Sequence, residues 1–306
     1  MKLERVSNEP ILEPRENVLW ERDAVFNPAI IYEDNTFHLF YRATVHLEGD
    51  HNKSSIGHAV SEDGVHFERF DKPILSYDET DYDFAGVEDP RITKIGDTYY
   101  IVYNCYTKVY PPKVGMASSK DLYNWQREGV IIGPEQFGPT KDTGLFPEKI
   151  NGKYAIVHRP GKKGTHMDFT NAGMEIAFSD DLYNWYGSTL VMSAGSQDWE
   201  SHKVGWNIPP IKTEKGWLMV YHGVDEDSVY RLGILLLDLN DPTVVKKKQD
   251  EPVLEPELEW ELHGDVPNVV FACGAVLIEN ELWVYYGGAD KVVGVAKGDV
   301  REFLQD

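Results

Sequence analysis

The sequence has little positive charge, almost no cysteine and no long apolar run. Its 30 Lys and Arg stand against 51 Asp and Glu, a formal net charge of −21 over 306 residues. So acidic a chain repels polyanions, which argues against nucleic acid and anionic membrane surfaces as partners. Two cysteines, Cys105 and Cys273, are too few for a disulfide scaffold. The longest apolar stretches, Leu232–Leu237 and Val269–Ile278, are far too short to span a bilayer. The opening segment MKLERVSNEPILEP alternates charged and apolar residues and lacks the apolar stretch of a signal peptide. Extended 3.6-residue periodicity is also missing, so a helical fold is not expected. These absences predict a soluble, cytoplasmic protein. Hydrophobic residues still make up 42% of the chain, enough for a substantial core.

What the sequence does have is a repeat of about sixty residues. Ala117–Trp125 reads ASSKDLYNW, and Ala177–Trp185 reads AFSDDLYNW. Ala59–Phe67, AVSEDGVHF, keeps the Ser, the Asp and the closing aromatic at the same offsets. A second element recurs five times: a short apolar strand, a polar turn and an aromatic-rich strand. The copies are PAIIYEDNTFHLFYR, DPRITKIGDTYYIVYN, FPEKINGKYAIVHR, PPIKTEKGWLMVYH and GAVLIENELWVYY. Asp34-Asn35, Gly96-Asp97, Asn151-Gly152 and Glu279-Asn280 suit tight hairpins, several of them because Gly, Asn and Asp tolerate positive φ. Five antiparallel units predict an all-β fold, a five-bladed β-propeller forming one domain over 1–306. Ring closure is suggested by NEPILEP at Asn8–Pro14 and DEPVLEP at Asp250–Pro256. The first of these precedes blade one, and the last blade lacks an outer strand, so the N-terminal strand is expected to supply it. Cys105 and Cys273 then fall in non-adjacent blades, and both thiols are expected to be free. The Lys246–Lys248 run is expected to be a solvated hairpin.

In an antiparallel hairpin the start of one strand and the end of the next share one end. Reading outward from the five turns therefore gathers residues around one mouth of the channel. Asn27 meets Arg42; Glu88 and Asp89 meet Asn104 and Tyr106. Lys141–Phe146 meets His158 and Arg159; Lys203–Asn207 meets His222; Asn268 meets Asp290. Taken singly, each has an ordinary explanation as a solvated strand-end charge, or as a satisfied core histidine in the case of His158 and His222. Their recurrence at equivalent positions in every blade points to a site. The histidines follow no metal-ligand spacing, so no metal is expected.

At these same positions the chain resembles glycoside hydrolase family 130, the β-mannoside phosphorylases and their hydrolytic relatives. The resemblance covers essentially the whole chain. It is carried by FNPA (Phe26–Ala29), FYRA (Phe40–Ala43), GVEDPRI (Gly86–Ile92) and KDTGLFPEKINGKYAIVHRP (Lys141–Pro160). HKVGW (His202–Trp206), VYHGVD (Val220–Asp225) and YYGGAD (Tyr285–Asp290) complete it. The resemblance implies Asp89 as the single catalytic acid, with Asn27, Arg42 and Asp290 binding the sugar at the non-reducing end. It implies Lys141, Arg159, Lys203 and His222 around phosphate. The family often has Arg where Lys141 stands. Tyr230 follows as a further phosphate ligand, in a register after His222 that is left open.

An inverting glycoside reaction needs a proton donor on the leaving oxygen and a nucleophile on the opposite face. A hydrolase adds a second carboxylate to activate water; a phosphorylase needs a cationic pocket for phosphate instead. A basic cluster in a protein of charge −21 favours inverting phosphorolysis of β-1,4- or β-1,2-linked mannosides, with inorganic phosphate as co-substrate and no cofactor. The alternatives are a β-mannoside hydrolase on the same fold, using Glu88 or Asp142, and a non-catalytic sugar-binding propeller. Linkage and acceptor sugar are expected to depend on the loops 44–54, 106–113 and 160–171. Whether the chain works alone or as a homo-oligomer is left open.

Overall fold

The computed structural model describes residues 1–47, 52–77, 79–107, 109–195 and 197–305. Residues 48–51 and 108, within two of the loops expected to set linkage, lie outside it. The fold is all-β, and the three α-helices among the described residues are single turns of four residues. No helix among the described residues is long and apolar enough to cross a membrane.

Each predicted hairpin forms and extends into an antiparallel unit. Unit one comprises Ala24–Glu33, Thr36–His46 and Asn52–Ser61. Unit two comprises Gly86–Ile95, Thr98–Tyr106, Lys113–Ser119 and Trp125–Ile132. Unit three runs Thr140–Leu145, Tyr154–Pro160, Met174–Ser179 and Trp185–Met192. Unit four runs Lys203–Trp206, Trp217–Val224, Tyr230–Leu237 and Val245–Lys248. Unit five holds Val270–Ile278, Glu281–Gly288 and Val292–Asp299, with Glu4–Arg5 added at its edge. Asp34, Asn35, Asn151 and Glu279 take positive φ at the hairpin turns, as tight turns require.

The sixty-residue repeat is a turn with a fixed hydrogen-bond pattern. Ser119 Oγ accepts from the N–H of Asp121 and of Leu122, at 3.2 and 3.0 Å. Asp121 Oδ1 then accepts from Tyr123 N and Asn124 N. Ser179 and Asp181 repeat every one of these bonds.

The N-terminal segment closes unit five in the manner predicted. Ile11 N donates to Val293 O and Val293 N to Leu12 O. In unit four Val253 N and Leu232 N make the equivalent pair with Leu232 O and Leu254 O. Unit one has a third copy that the sequence comparison missed, Pro73-Ile74-Leu75, bonded to Ile56 in the same way.

A buried latch fixes these outer segments. Tyr41, Tyr221 and Tyr286 donate their hydroxyls to Glu21, Glu200 and Glu261 at 2.7, 2.7 and 2.8 Å. Trp20, Trp199 and Trp260 lie against those tyrosines. Their indole N–H groups donate to the carbonyls of Asp71, Asp250 and Asn8, each two residues before the Pro of an outer segment. A glycine faces each tyrosine across the sheet: Gly57, Gly233 and Gly294. A Cβ at Gly57 would lie 2.4 Å from the Tyr41 ring, so only glycine leaves room for it. Unit two uses Tyr103, Asp83 and Gly115. Each carboxylate also holds a cation: Arg15, Lys248, Arg5 and Arg127 respectively. Of the expected solvated Lys246–Lys248 hairpin, Lys246 and Lys247 are exposed, whereas Lys248 is paired with the fully buried Glu200.

Among the described residues, every pair of consecutive units shares a large apolar cluster. One joins units one and two through Phe40, Ile56 and Val87. Others join two to three, three to four and four to five. The fifth packs Leu39 and Tyr41 of unit one against Tyr285, Val293 and Val295 of unit five. Cys105 and Cys273 are both free and buried.

Candidate active site

Three units begin with the same irregularity. The pairing slips after Phe26↔Arg42, after Glu88↔Asn104 and after Lys141↔Arg159. The next residue in each is left-handed: Asn27 (φ 47), Asp89 (φ 51) and Asp142 (φ 55). Asn and Asp are the side-chain-bearing residues that enter this region most readily. Bulges of this kind re-aim a side chain out of the strand's alternation. Here they bring one carboxamide and two carboxylates into two connected clusters.

The first cluster surrounds Asp89. Asn27 Nδ2 donates to Asp89 Oδ1 at 2.9 Å, and Arg42 Nη1 to the same oxygen at 3.2 Å. Asn104 Nδ2 reaches Oδ2 at 3.4 Å. Arg42 is itself fixed by Glu88 at 2.7 Å and Ser54 at 3.0 Å. Burial raises the Asp89 pKa, but Arg42, the Asn27 hydrogen bond, Arg91 and Lys141 together hold it below the ordinary carboxylate value. Its side chain keeps 14% exposure, so it is open to a ligand. Asp290 behaves oppositely. Burial pushes it up to about 7, aided by Asp89, Asp265 and Glu88 and opposed by Arg42.

The second cluster is cationic around one carboxylate. Arg159 Nε donates to Asp142 Oδ2 at 2.5 Å, and Arg91 lies 3.8 Å from the other oxygen. Burial disfavours the Asp142 charge, but Arg159, His222 and Arg91 outweigh it and hold the carboxyl well below its usual range. Arg159 Nη1 is buried with no partner. Lys203 Nζ donates to the Tyr230 hydroxyl. Burial, Arg159 and Lys141 lower Lys203 to about 8. Phe169 lies under both Arg159 and Lys141, with centroid distances of 4.9 and 5.9 Å.

His222 is fully enclosed and burial holds its pKa well below the usual imidazole value, so it adds no positive charge. Its Nδ1 lies 2.9 Å from Asn207 Oδ1, and its Nε2 has no partner. Gly205 lies between it and Asp142: a Cβ there would come within 2.4 Å of both.

The chain aligns with the family profile described as beta-1,4-mannooligosaccharide phosphorylase over residues 2–305. It belongs to glycoside hydrolase family 130. Among its relatives, a 1,2-beta-oligomannan phosphorylase of Thermoanaerobacter sp. (strain X514) is 46% identical, over 99% of both chains. A beta-1,2-mannobiose phosphorylase of the same organism is 49% identical over 96% of each. The Listeria innocua beta-1,2-mannobiose phosphorylase, solved with beta-1,2-mannobiose, superposes with a TM-score of 0.87. That match has 30% identity and covers 99% of this chain and 98% of the other.

In this family 130 chain, Asn27 and Arg42 both bond Asp89, which gathers the three at one point. Lys141, Arg159, Lys203, His222 and Tyr230 gather in the second cluster, and the Lys203 bond fixes the register of Tyr230. Asp290 is electrostatically coupled to both clusters. His158 is not part of either. It occupies the latch-tyrosine position of unit three, opposite Glu175 in place of a glycine. There its Nε2 bonds Ser188 at 2.7 Å and its ring meets Phe137. Sequence reasoning missed two contributors, Arg91 and Phe169. Arg91 lies within the EDPR motif but two residues beyond the hairpin end that singles out Asp89, and it is buried. Phe169 sits in a loop with no periodicity to place it. Asn207, by contrast, ends the Lys203–Asn207 stretch that the hairpin reading set opposite His222, and it meets that ring.

Proposed function

We propose that the chain catalyses inverting phosphorolysis of β-mannosides, releasing α-mannose 1-phosphate and a shortened sugar. The observation that carries this reading is the pairing of Asp89 with a separate cationic pocket. That pocket includes a buried arginine donor, Arg159 Nη1, lacking any protein partner. Leaving such a donor unpaired costs about 1–3 kcal/mol, which an anion would recover. A hydrolase needs a second carboxylate free to activate water. Glu88 and Asp142 are each held by an arginine, which disfavours that role.

Asp89 protonates the leaving oxygen, through a hydroxyl of the bound mannose. Asn27, Arg42 and Asp290 hold that sugar. Lys141, Arg159, Lys203, His222 and Tyr230 hold phosphate. The C1–O bond breaks as a phosphate oxygen bonds C1 from the opposite face. The proton on hydrogen phosphate ends, in net balance, on the released alcohol. Phosphate in the pocket offsets the pull of Lys141 and Arg91 on Asp89, and so favours the protonated acid.

The same proposal treats the five units as blades of a β-propeller forming one catalytic domain over 1–306. The apolar cluster between units one and five and the N-terminal strand support closure. Two free buried thiols fit a reducing, cytoplasmic setting. Small carbohydrate and phosphate are the partners, without a cofactor. The β-1,2 linkage is the first to test, given the 46% and 49% identical relatives. Incubation with β-1,2- and β-1,4-mannobiose, each with and without phosphate, tests the whole reading. Turnover that ignores phosphate would overturn it.

A further inference from the structure

The tautomer of His222 is fixed by its neighbours. Asn207 Nδ2 donates to the carbonyl of Ala272 at 2.6 Å. That bond orients the amide, because the opposite orientation would face two oxygens against each other. Asn207 Oδ1 therefore faces His222 Nδ1, and the shared hydrogen must sit on Nδ1. A neutral ring with Nδ1–H carries a lone pair on Nε2. The charged groups acting on the ring are Asp142, Lys203, Arg159 and Arg91. Three of the four are cations, and the one anion already accepts from Arg159. Phe271 and Tyr230 cover the ring with uncharged aromatic surface. The imidazole thus stays neutral, and the pocket presents an acceptor amid its donors.

We propose that His222, oriented by Asn207, determines which anion the pocket takes: Nε2 accepts a hydrogen bond from the P–OH of hydrogen phosphate. This deepens the phosphorolytic reading and rests on it. Near neutral pH, phosphate and arsenate carry a proton to donate; sulfate has none. Sulfate would place an oxygen against the Nε2 lone pair, leaving a buried acceptor unsatisfied and repelled. Asn207 is the positioning residue, since it alone sets which nitrogen carries the hydrogen.

The test uses the intact enzyme with a β-mannobiose and three anions. Arsenate should replace or compete with phosphate within about tenfold, and sulfate should compete at least a hundredfold more weakly. Histidine ¹⁵N shifts should assign Nδ1–H to His222. His222→Phe, which removes the lone pair, should lower the preference for phosphate over sulfate at least tenfold. Sulfate competing as well as phosphate in the wild type, or Nε2–H in the spectrum, would overturn the acceptor role while leaving phosphorolysis standing. If sugar consumption needs no phosphate at all, the phosphorolytic reading fails first, and the two failures are told apart.

Discussion

Asn27 and Asp89 occupy the same left-handed bulge position in adjacent units, and the carboxamide of one donates to the carboxylate of the other at 2.9 Å. Neither residue could make this contact from a regular strand, where side chains alternate between faces. Left-handed backbone at such residues costs about 1–3 kcal/mol each. The fold keeps that strain where it assembles the site.

Asp89→Asn should lower kcat by about 10²–10⁴, the usual contribution of a general acid. Substrate KM should change little, because Asn keeps the shape and can still meet Arg42 and Asn27 through its own oxygen. Steady-state kinetics on mannobiose with saturating phosphate check this, and wild-type turnover would remove Asp89 from the chemistry.

Lys203→Ala should raise the KM for phosphate at least tenfold while sparing the KM for the sugar. Lys203 is lowered to about 8, so it loses charge as pH rises through that value. In the wild type, kcat/KM for phosphate should therefore fall above about pH 8. Lys203→Arg should shift that limb upward, since guanidinium stays protonated.

Asp142→Ala would leave Arg159 and Arg91 buried without their carboxylate. Breaking a buried pair from one side typically costs about 3–5 kcal/mol. Thermal unfolding should show a large loss, and phosphate should restore part of it by supplying the missing negative charge.

Asp290 should make stability fall with rising pH. Its folded pKa of about 7 lies above the unfolded carboxylate value. Between those two values the folded state holds a proton that the unfolded state has lost, so unfolding becomes easier as pH climbs. Asp290→Asn should flatten this slope, and its melting temperature should exceed wild type by a few degrees, roughly 2–4 °C, at pH 8 and not at pH 4. Equal slopes would contradict the assignment.

Tyr286→Phe removes one latch bond from a fully buried Glu261. A loss of about 1–2 kcal/mol is expected. Calorimetry should record it without any change in phosphate KM, separating the latch from the site.

By itself the sequence determined the units and much of the site's membership. Hairpin turns such as Asn151-Gly152 and the Ser-x-Asp turns are local, so their residue types announce them. The alternation of strands then carries Asp89, Arg159 and His222 to the same hairpin ends. Tertiary structure alone decided which way the side chains on those strands face. His158 and Arg159 are neighbours in sequence, yet strand alternation sends one into the latch and the other to Asp142. The charge of His222 was likewise invisible in sequence. It depends on an amide turned by the Ala272 carbonyl, sixty-five residues away from Asn207, and hydrogen bonds between distant strands exist only once the units have packed.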